Sequence, residues 1–385
     1  MSGGAGREDL ASSVGAGRRR ARRGRLVLED GAVFAGSVFG APRPVAGEVV
    51  FTTGMVGYPE ALTDPSYHGQ ILTFTYPSLG NYGIPGEAGP RRRSMRGPDG
   101  IAERPMESAR IRVAGLVCAT YSEHYSHHTA GMSLGSWLAS QGVPALTGVD
   151  TRALTRRIRA RGAMLGRIEV AGCAVPDFSD PNARNLVAEV STRAVRRHGR
   201  GGVPLYLIDC GGKNNQLRML VARGAEVRVV PWDFDVAGAP RDYAGVVISN
   251  GPGDPRMAAA TIQTARRLMR RRVPILGICL GHQILALAAG GSTYKMGFGH
   301  RSHNQPCVEP GTGRCYQSSQ NHGYAVEGRS LPRGWEEWFV NANDGTNEGV
   351  RHRRAPWRSV QFHPEAAPGP TGTEWILDEF LAEIG

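Results

Sequence analysis

The sequence predicts a two-domain α/β protein: a β-rich α/β domain first, then a domain with a mostly parallel central sheet flanked by helices. The length of 385 residues exceeds what one hydrophobic core usually supports, so a division in two is the natural expectation. The front of the chain reads as short β-patterned runs separated by turn residues. From about residue 204 the pattern becomes apolar strands alternating with helical periods, the signature of a parallel sheet covered on both faces.

Residues 1–24 are rich in Gly, Ser and Ala, with Arg18 to Arg20, Arg22 and Arg23 close together, and Arg25 just beyond. They read as a disordered basic tail or an organelle transit peptide, with Glu8 and Asp9 counting against the second. The first domain, 25–175, opens with Leu26 to Leu28 and Val33-Phe34 as strands joined at an Asp30-Gly31 hairpin turn. Glu48 to Phe51, Gln70 to Phe74 and Val113 to Cys118 follow as strands, with a Gly-, Pro- and Arg-rich surface loop from Gly80 to Pro105. Helices are expected around Ser133 to Ser140 and from Asp150-Thr151 to a Gly162 stop.

Periodicity is lost over 176–203, which reads as a linker. In the second domain, 204–385, Leu205 to Ile208, Val227 to Val230 and Val246 to Ile248 are strands, with a helix through Leu217, Leu220 and Val221 ending at Gly224. Active sites of such sheets lie at the C-terminal ends of the strands.

Composition narrows the function classes. With 41% hydrophobic and 21% charged residues, the chain is ordinary globular protein rather than a disordered or fibrous one. No apolar run approaches the roughly 20 residues of a membrane helix, so no membrane partner is expected. A formal net charge of +12 raises nucleic-acid binding. The charge is scattered, however, over the tail and residues 91–93, 193–200, 266–272 and 351–358. It is nearly all arginine and lacks interleaved aromatics for base stacking, so no nucleic-acid partner is expected either. Cys118, Cys173, Cys210, Cys279, Cys307 and Cys315 show no paired spacing, which fits a reducing compartment. The cytoplasm is expected, or a mitochondrion or plastid if the tail is a transit peptide. His124, His127 and His128 read as a polar loop, and no metal site is expected.

Three segments carry chemistry. The apolar run Pro274 to Ile278 leads into Cys279, then Leu280-Gly281 and a helix from His282 to Ala289. A thiol on a sharp strand-to-helix turn between glycines is the cysteine form of a nucleophile elbow, and the helix N-terminus favours thiolate. The loop Ser249 to Pro255 contains Gly251 and Gly253. Pro252 has no N–H, so Gly251 or Gly253, with Leu280, would supply oxyanion donors. After a β-like run, His363 can act as base and Glu365 can fix its tautomer. Each segment alone also has a plainer reading, as a buried cysteine, a Gly/Pro turn or a histidine at a strand end.

Together and in this order they resemble the class I glutamine amidotransferases, which combine a GxCxGHQ elbow, an NGPGDP loop and an HPE segment. Gln320 to Tyr324 is similar to the QNHGF segment of carbamoyl-phosphate synthetase small subunits. Gly47 to Phe51, Gly57 to Glu60 and Leu62 to Tyr67 look like the N-terminal domain of those subunits. Asp209 to Gly211, Gly299 to Pro306 and Asn341 to Gly345 look closest to the eukaryotic pyrimidine-pathway form. Departures are the basic tail and the arginine-rich stretch around Arg91 to Arg96.

The resemblance implies catalysis by Cys279, His363 and Glu365, with L-glutamine held by Ser66, Gly251, Gly253, Leu280, Gln283, Asn321, Gly323 and Tyr324. It implies glutamine hydrolysis to glutamate and ammonia. A synthetase large subunit or fused synthetase domain would take the ammonia through an internal tunnel to make carbamoyl phosphate for pyrimidine or arginine synthesis. That partner would use ATP, Mg²⁺ and bicarbonate; this chain, with no G-x-x-x-x-G-K-[ST] loop, would need no cofactor. An amidotransferase serving another acceptor and an inactive interaction module are the alternatives. Ammonia-dependent members of the family lack the nucleophilic cysteine, and Cys279 is present.

Overall fold

The computed structural model describes residues 22–86, 101 and 106–385. The Arg18 to Arg20 cluster and the Arg91 to Arg96 stretch lie outside the described residues. Strand Arg23–Leu28 and strand Val33–Gly40 form the expected hairpin. The turn is a three-residue loop rather than a two-residue one: the Leu28 N–H donates to the Ala32 carbonyl and Gly31 takes φ 85°. Glycine supplies that left-handed position without a steric penalty.

The hairpin is one side of a closed barrel of seven strands, completed by Met164–Val170, Val45–Thr52, Gln70–Phe74, Gly115–Val117 and Pro144–Thr147. Closure leaves no open sheet edge, and it depends on the first strand pairing with Met164–Val170, almost the whole domain away in sequence. Val49, Ile71, Leu146 and Ile168 fill one core; Leu72, Phe74, Leu116 and Leu138 fill the other, under helix Leu134–Ser140. That helix is capped by Ser133, and helix Thr151–Arg161 by Asp150, whose side chain accepts from the Ala153 N–H.

The second domain is a ten-stranded sheet. At its centre Ala225–Pro231, Val203–Asp209, Gly245–Ile248, Ile275–Ile278 and Trp357–Val360 run parallel. Antiparallel strands extend it on both sides: Arg196–His198 at one edge, and Asn347–His352, Trp335–Asn341, Thr293–Glu309 and Arg314–Val326 at the other. Alternation along Val203–Asp209 sends Leu205 and Leu207 to one face, with Leu377 and Phe380 of helix Trp375–Ile384. Tyr206 and Ile208 go to the other, with Leu268 and Leu285. The parallel strands thus bury both faces, as helices on either side require.

Residues 176–203, expected as linker, contain helix Leu186–Val190, capped by Asn185, and the edge strand Arg196–His198. Elements of five and three residues are too short to show a period.

Truncation of a barrel side chain tests how far the first domain depends on closure. Leu72→Ala, at a fully buried position, is expected to cost about 2–5 kcal/mol, read as a lowered urea midpoint of unfolding.

Candidate active site

Strand Ile275–Ile278 ends at Cys279, and helix Leu280–Ala289 starts on the next residue. Cys279 turns the corner at φ 54° and ψ −102°, a conformation costing a non-glycine residue of order 1–3 kcal/mol. Its N–H donates to the Val360 carbonyl at 2.8 Å. The flanking glycines are needed because the backbones touch. A Cβ on Gly277 would lie 2.5 Å from the Gly281 carbonyl oxygen, and one on Gly281 would lie 2.1 Å from that of Ile248.

His363 follows the neighbouring parallel strand Trp357–Val360 and is anchored by its N–H to the Ser319 carbonyl at 2.9 Å. Its Nδ1 lies 2.6 Å from Glu365 Oε1. Nε2 has no hydrogen-bond partner among the described residues, although the Cys279 thiol is near enough to add to the ring's proton affinity. The Cys279 sulfur instead faces the Asn321 carbonyl at 3.7 Å. The thiol and imidazole are therefore adjacent without a well-formed bond, as is common before substrate tightens a site. Burial opposes the imidazolium, but Glu365 and Cys279 outweigh it and raise the His363 value well above ordinary imidazole. Burial also opposes charge on Glu365; His363 and Lys213 outweigh it and hold the carboxyl below its usual range.

Behind Glu365 stands helix Asn214–Ala222. Gln216 Nε2 donates to Glu365 Oε1 at 3.2 Å, and the Asn215 side chain donates to the Glu365 carbonyl. Lys213 Nζ lies 3.7 Å from Glu365 Oε1 and bonds the Ala366 carbonyl. These groups escaped the sequence reading. A compositional signal was available: Lys213 and Lys295 are the two lysines in an otherwise arginine-based chain, and both are found here, beside Glu365 and in the cleft described next.

Ser66, Gly251, Gly253, Cys279, Leu280, Gln283, Asn321, Gly323 and Tyr324 line one cleft between the domains. His363 opens onto an adjoining cavity with Lys213 and Asp64, and Glu365 lies behind His363. Ser66 Oγ accepts from Asn250 Nδ2 at 2.8 Å, and Asp64 Oδ2 accepts from Asn321 Nδ2 at 2.9 Å, so both domains shape the cleft. Gln283 is held by the Tyr324 carbonyl and Gln361 Oε1. Gly251 permits close approach, since a Cβ would meet the Cys210 carbonyl oxygen at 2.1 Å, while Gly253 adopts φ 82°. Among the described residues the Gly251 and Gly253 N–H groups find no acceptor. They are thus free to meet an oxyanion.

His124, His127 and His128 are exposed. Among the described residues the side chains close enough to share an ion are His300, His322 and Glu348. Their ring nitrogens already face Asp344, Glu348, the Tyr324 carbonyl and Gln320.

Comparison with known proteins agrees with this geometry. The family model for the carbamoyl-phosphate synthase small chain, CPSase domain, matches residues 26–168, and that for glutamine amidotransferase class-I matches residues 206–383. The chain is 49% identical to the multifunctional protein pyrABCN of Emericella nidulans, over 93% of this chain and 17% of that protein. It is 46% identical to the multifunctional protein URA2 of Saccharomyces cerevisiae, over 93% and 17%. It is 48% identical to the mitochondrial carbamoyl-phosphate synthase [ammonia] of Mus musculus, over 95% and 24%. The chain thus spans a quarter or less of the length of these relatives.

Two changes probe the geometry. Gly281→Ala sets a Cβ against a backbone oxygen that cannot rotate away, so a loss of about 1–3 kcal/mol is expected in thermal unfolding, together with slowed alkylation of Cys279. Glu365→Gln removes the largest influence raising the His363 value, so the imidazole titration followed by NMR should move to lower pH. The sign for stability follows. A raised histidine value stabilises the fold fully below the ordinary imidazole range, near 6.5, and that stabilisation fades as pH climbs through the raised value. Wild type should therefore lose stability on alkalinisation more than Glu365→Gln does.

Proposed function

We propose that this chain, which belongs to the carbamoyl-phosphate synthase small-chain family and carries a class-I glutamine amidotransferase domain, hydrolyses L-glutamine to glutamate and ammonia for carbamoyl phosphate synthesis. The observation carrying the proposal is the placement of Cys279, on a strained elbow, between the His363–Glu365 pair and a cleft lined by Ser66, Gly251, Gly253, Leu280, Gln283, Asn321, Gly323 and Tyr324.

Cys279 gives its thiol proton to His363 and its sulfur attacks the carboxamide carbon of glutamine, while the oxyanion is met by N–H groups of the Gly251–Gly253 loop and Leu280. His363, its proton affinity raised by Glu365, protonates the amide nitrogen as the C–N bond breaks and ammonia departs. A γ-glutamyl thioester remains on Cys279. Water attacks it, giving a proton to His363, and glutamate leaves as the sulfur is released.

The ammonia passes to a synthetase subunit or fused domain, where ATP, Mg²⁺ and bicarbonate are consumed. The long multifunctional relatives support such a partner, and the pathway served is pyrimidine or arginine biosynthesis. The relatives' names include a mitochondrial protein; we place this chain in the cytoplasm, with the mitochondrion or plastid as the alternative. That same relative is named for ammonia, whereas Cys279 on its elbow favours glutamine as the nitrogen source here.

Glutamate release is measured for wild type and Cys279→Ser, with and without a synthetase large subunit, ATP and bicarbonate. Partner-stimulated release appearing as carbamoyl phosphate, lowered on the order of a thousand-fold or more by the substitution, is expected. Release without coupling would assign another acceptor, and no release under any condition would leave an interaction module.

A further inference from the structure

A second group of buried polar side chains takes no part in this mechanism. His300, His322 and Glu348 are 6%, 5% and 0% exposed, and their possible ligand atoms all lie within 4.8 Å of one another. They come from three antiparallel strands, Thr293–Glu309, Arg314–Val326 and Asn347–His352. His300 and His322 are direct cross-strand partners, and Gln320, two residues before His322, points to the same face of the sheet. Side chains so far apart in the chain leave no recognisable ligand spacing, which is why the amino-acid order does not reveal them.

Their hydrogen bonds fix where the ring protons sit. His322 Nδ1 lies 2.9 Å from the Tyr324 carbonyl, which can only accept, so the proton is on Nδ1 and Nε2 keeps its lone pair. That lone pair faces Gln320 Oε1 at 3.1 Å, because Gln320 Nε2 is turned toward Ser318 Oγ at 3.1 Å and Cys307 Sγ at 3.3 Å. Two acceptors therefore meet. His300 Nε2 lies 2.8 Å from Asp344 Oδ2, which places its proton on that side, and Nδ1 faces Glu348 Oε1 at 3.3 Å. This is long for a charge-assisted hydrogen bond, which spans about 2.7–2.9 Å. Two atoms each about 2.0–2.1 Å from one zinc ion, at a tetrahedral angle, lie about 3.3 Å apart. The contacts at 3.1 Å and 3.3 Å match that separation. Glu348 Oε1 also accepts from Asn341 Nδ2 at 3.0 Å, while its buried Oε2 has no partner among the described residues and keeps lone pairs to give.

We propose that His300 Nδ1, His322 Nε2 and the Glu348 carboxylate hold a zinc ion, with Gln320 Oε1 as the fourth ligand. Each histidine then donates its other ring N–H outward, His300 to the Asp344 carboxylate and His322 to the Tyr324 carbonyl, the outer contacts that set the tautomer and orientation of a metal-bound imidazole. The ion also reconciles the two acceptors. Four protein ligands leave no open position, so the site is structural and carries no chemistry of its own. His322 stands between Asn321 and Gly323 of the cleft wall, and the Tyr324 carbonyl that accepts from it accepts from Gln283 as well. The ion thus braces that wall, whichever reaction the cleft performs.

The test is the zinc content of the full chain, produced without a polyhistidine tag and measured by elemental mass spectrometry after exchange into metal-free buffer. About one equivalent per chain is expected in wild type. Glu348→Gln should retain about ten-fold less or lower still, and Asp344→Ala, which removes only the outer partner of His300, should weaken zinc affinity about ten- to hundred-fold. Cobalt(II) added to the metal-free wild type should give the visible absorption of a four-coordinate ion, and Glu348→Gln should not. Wild type that retains no zinc and takes up none would overturn the proposal, and so would variants that hold zinc as wild type does; Gln320 is then turned to donate to His322 and the cluster is a hydrogen-bond network. If Glu348→Gln does not fold, Asp344→Ala carries the comparison, since the Asp344 side chain is 44% exposed.

Discussion

The arrangement of the site depends on how one helix N-terminus is satisfied. Helix Asn214–Ala222 has no side-chain cap of its own, because Lys213 occupies the cap position. Its first N–H groups go instead to the other domain: Asn214 N donates to the Glu107 carbonyl and Asn215 N to Glu107 Oε2, both at 2.9 Å. Glu107 is fully buried and is also held by Arg218 at 2.5 Å. The first turn so fixed is the one whose Lys213, Asn215 and Gln216 side chains hold Glu365. A buried carboxylate without such partners would rise toward neutrality. The charge that orients His363 is thus secured by a residue more than two hundred positions away in the other domain.

Strain at the elbow has a similar source. Cys279 keeps an unfavourable φ only because the backbones around it allow nothing else: Gly281 lies against Ile248, Gly277 against Gly281, and the Cys279 N–H bonds Val360. Those contacts come from three adjacent parallel strands, so the elbow is a property of the sheet rather than of its own sequence. Beyond Glu365, Ala366 and Ala367 also take positive φ. Both segments proposed to carry the catalytic groups therefore bend where rigid elements over-determine them.

The amino-acid order revealed some of this and hid the rest for physical reasons. The strand–helix alternation from Leu205 onward was legible because each element spans enough residues to display its period. The barrel was not, since closure joins Arg23–Leu28 to Met164–Val170 and no local pattern encodes a non-local pairing. Leu186–Val190 and Arg196–His198 were hidden by brevity. Cys279, His363 and Glu365 were readable because each sits in a contiguous motif with its own local logic. Glu107 and Lys213 have none; their surroundings are assembled from distant segments. Only the scarcity of lysine pointed at Lys213, a compact ammonium in a chain whose other cations are nearly all planar guanidinium groups.

A seam between two domains is a demanding place for a buried ion network, since each unpaired charge there would weaken docking. Here the seam carries Ser66–Asn250, Asp64–Asn321, Glu107–Arg218 and Glu48–Lys295. A purely apolar interface would hold the domains together with less risk, but it would tolerate small slips. Hydrogen-bonded pairs tolerate few, because each has a preferred distance and direction. The polar seam therefore resists slippage between the domains, and attack on a carbonyl carbon is sensitive to small misplacements. Both the walls of the cleft and the support of the proposed triad draw on that same seam, so the two would be lost together if the domains parted.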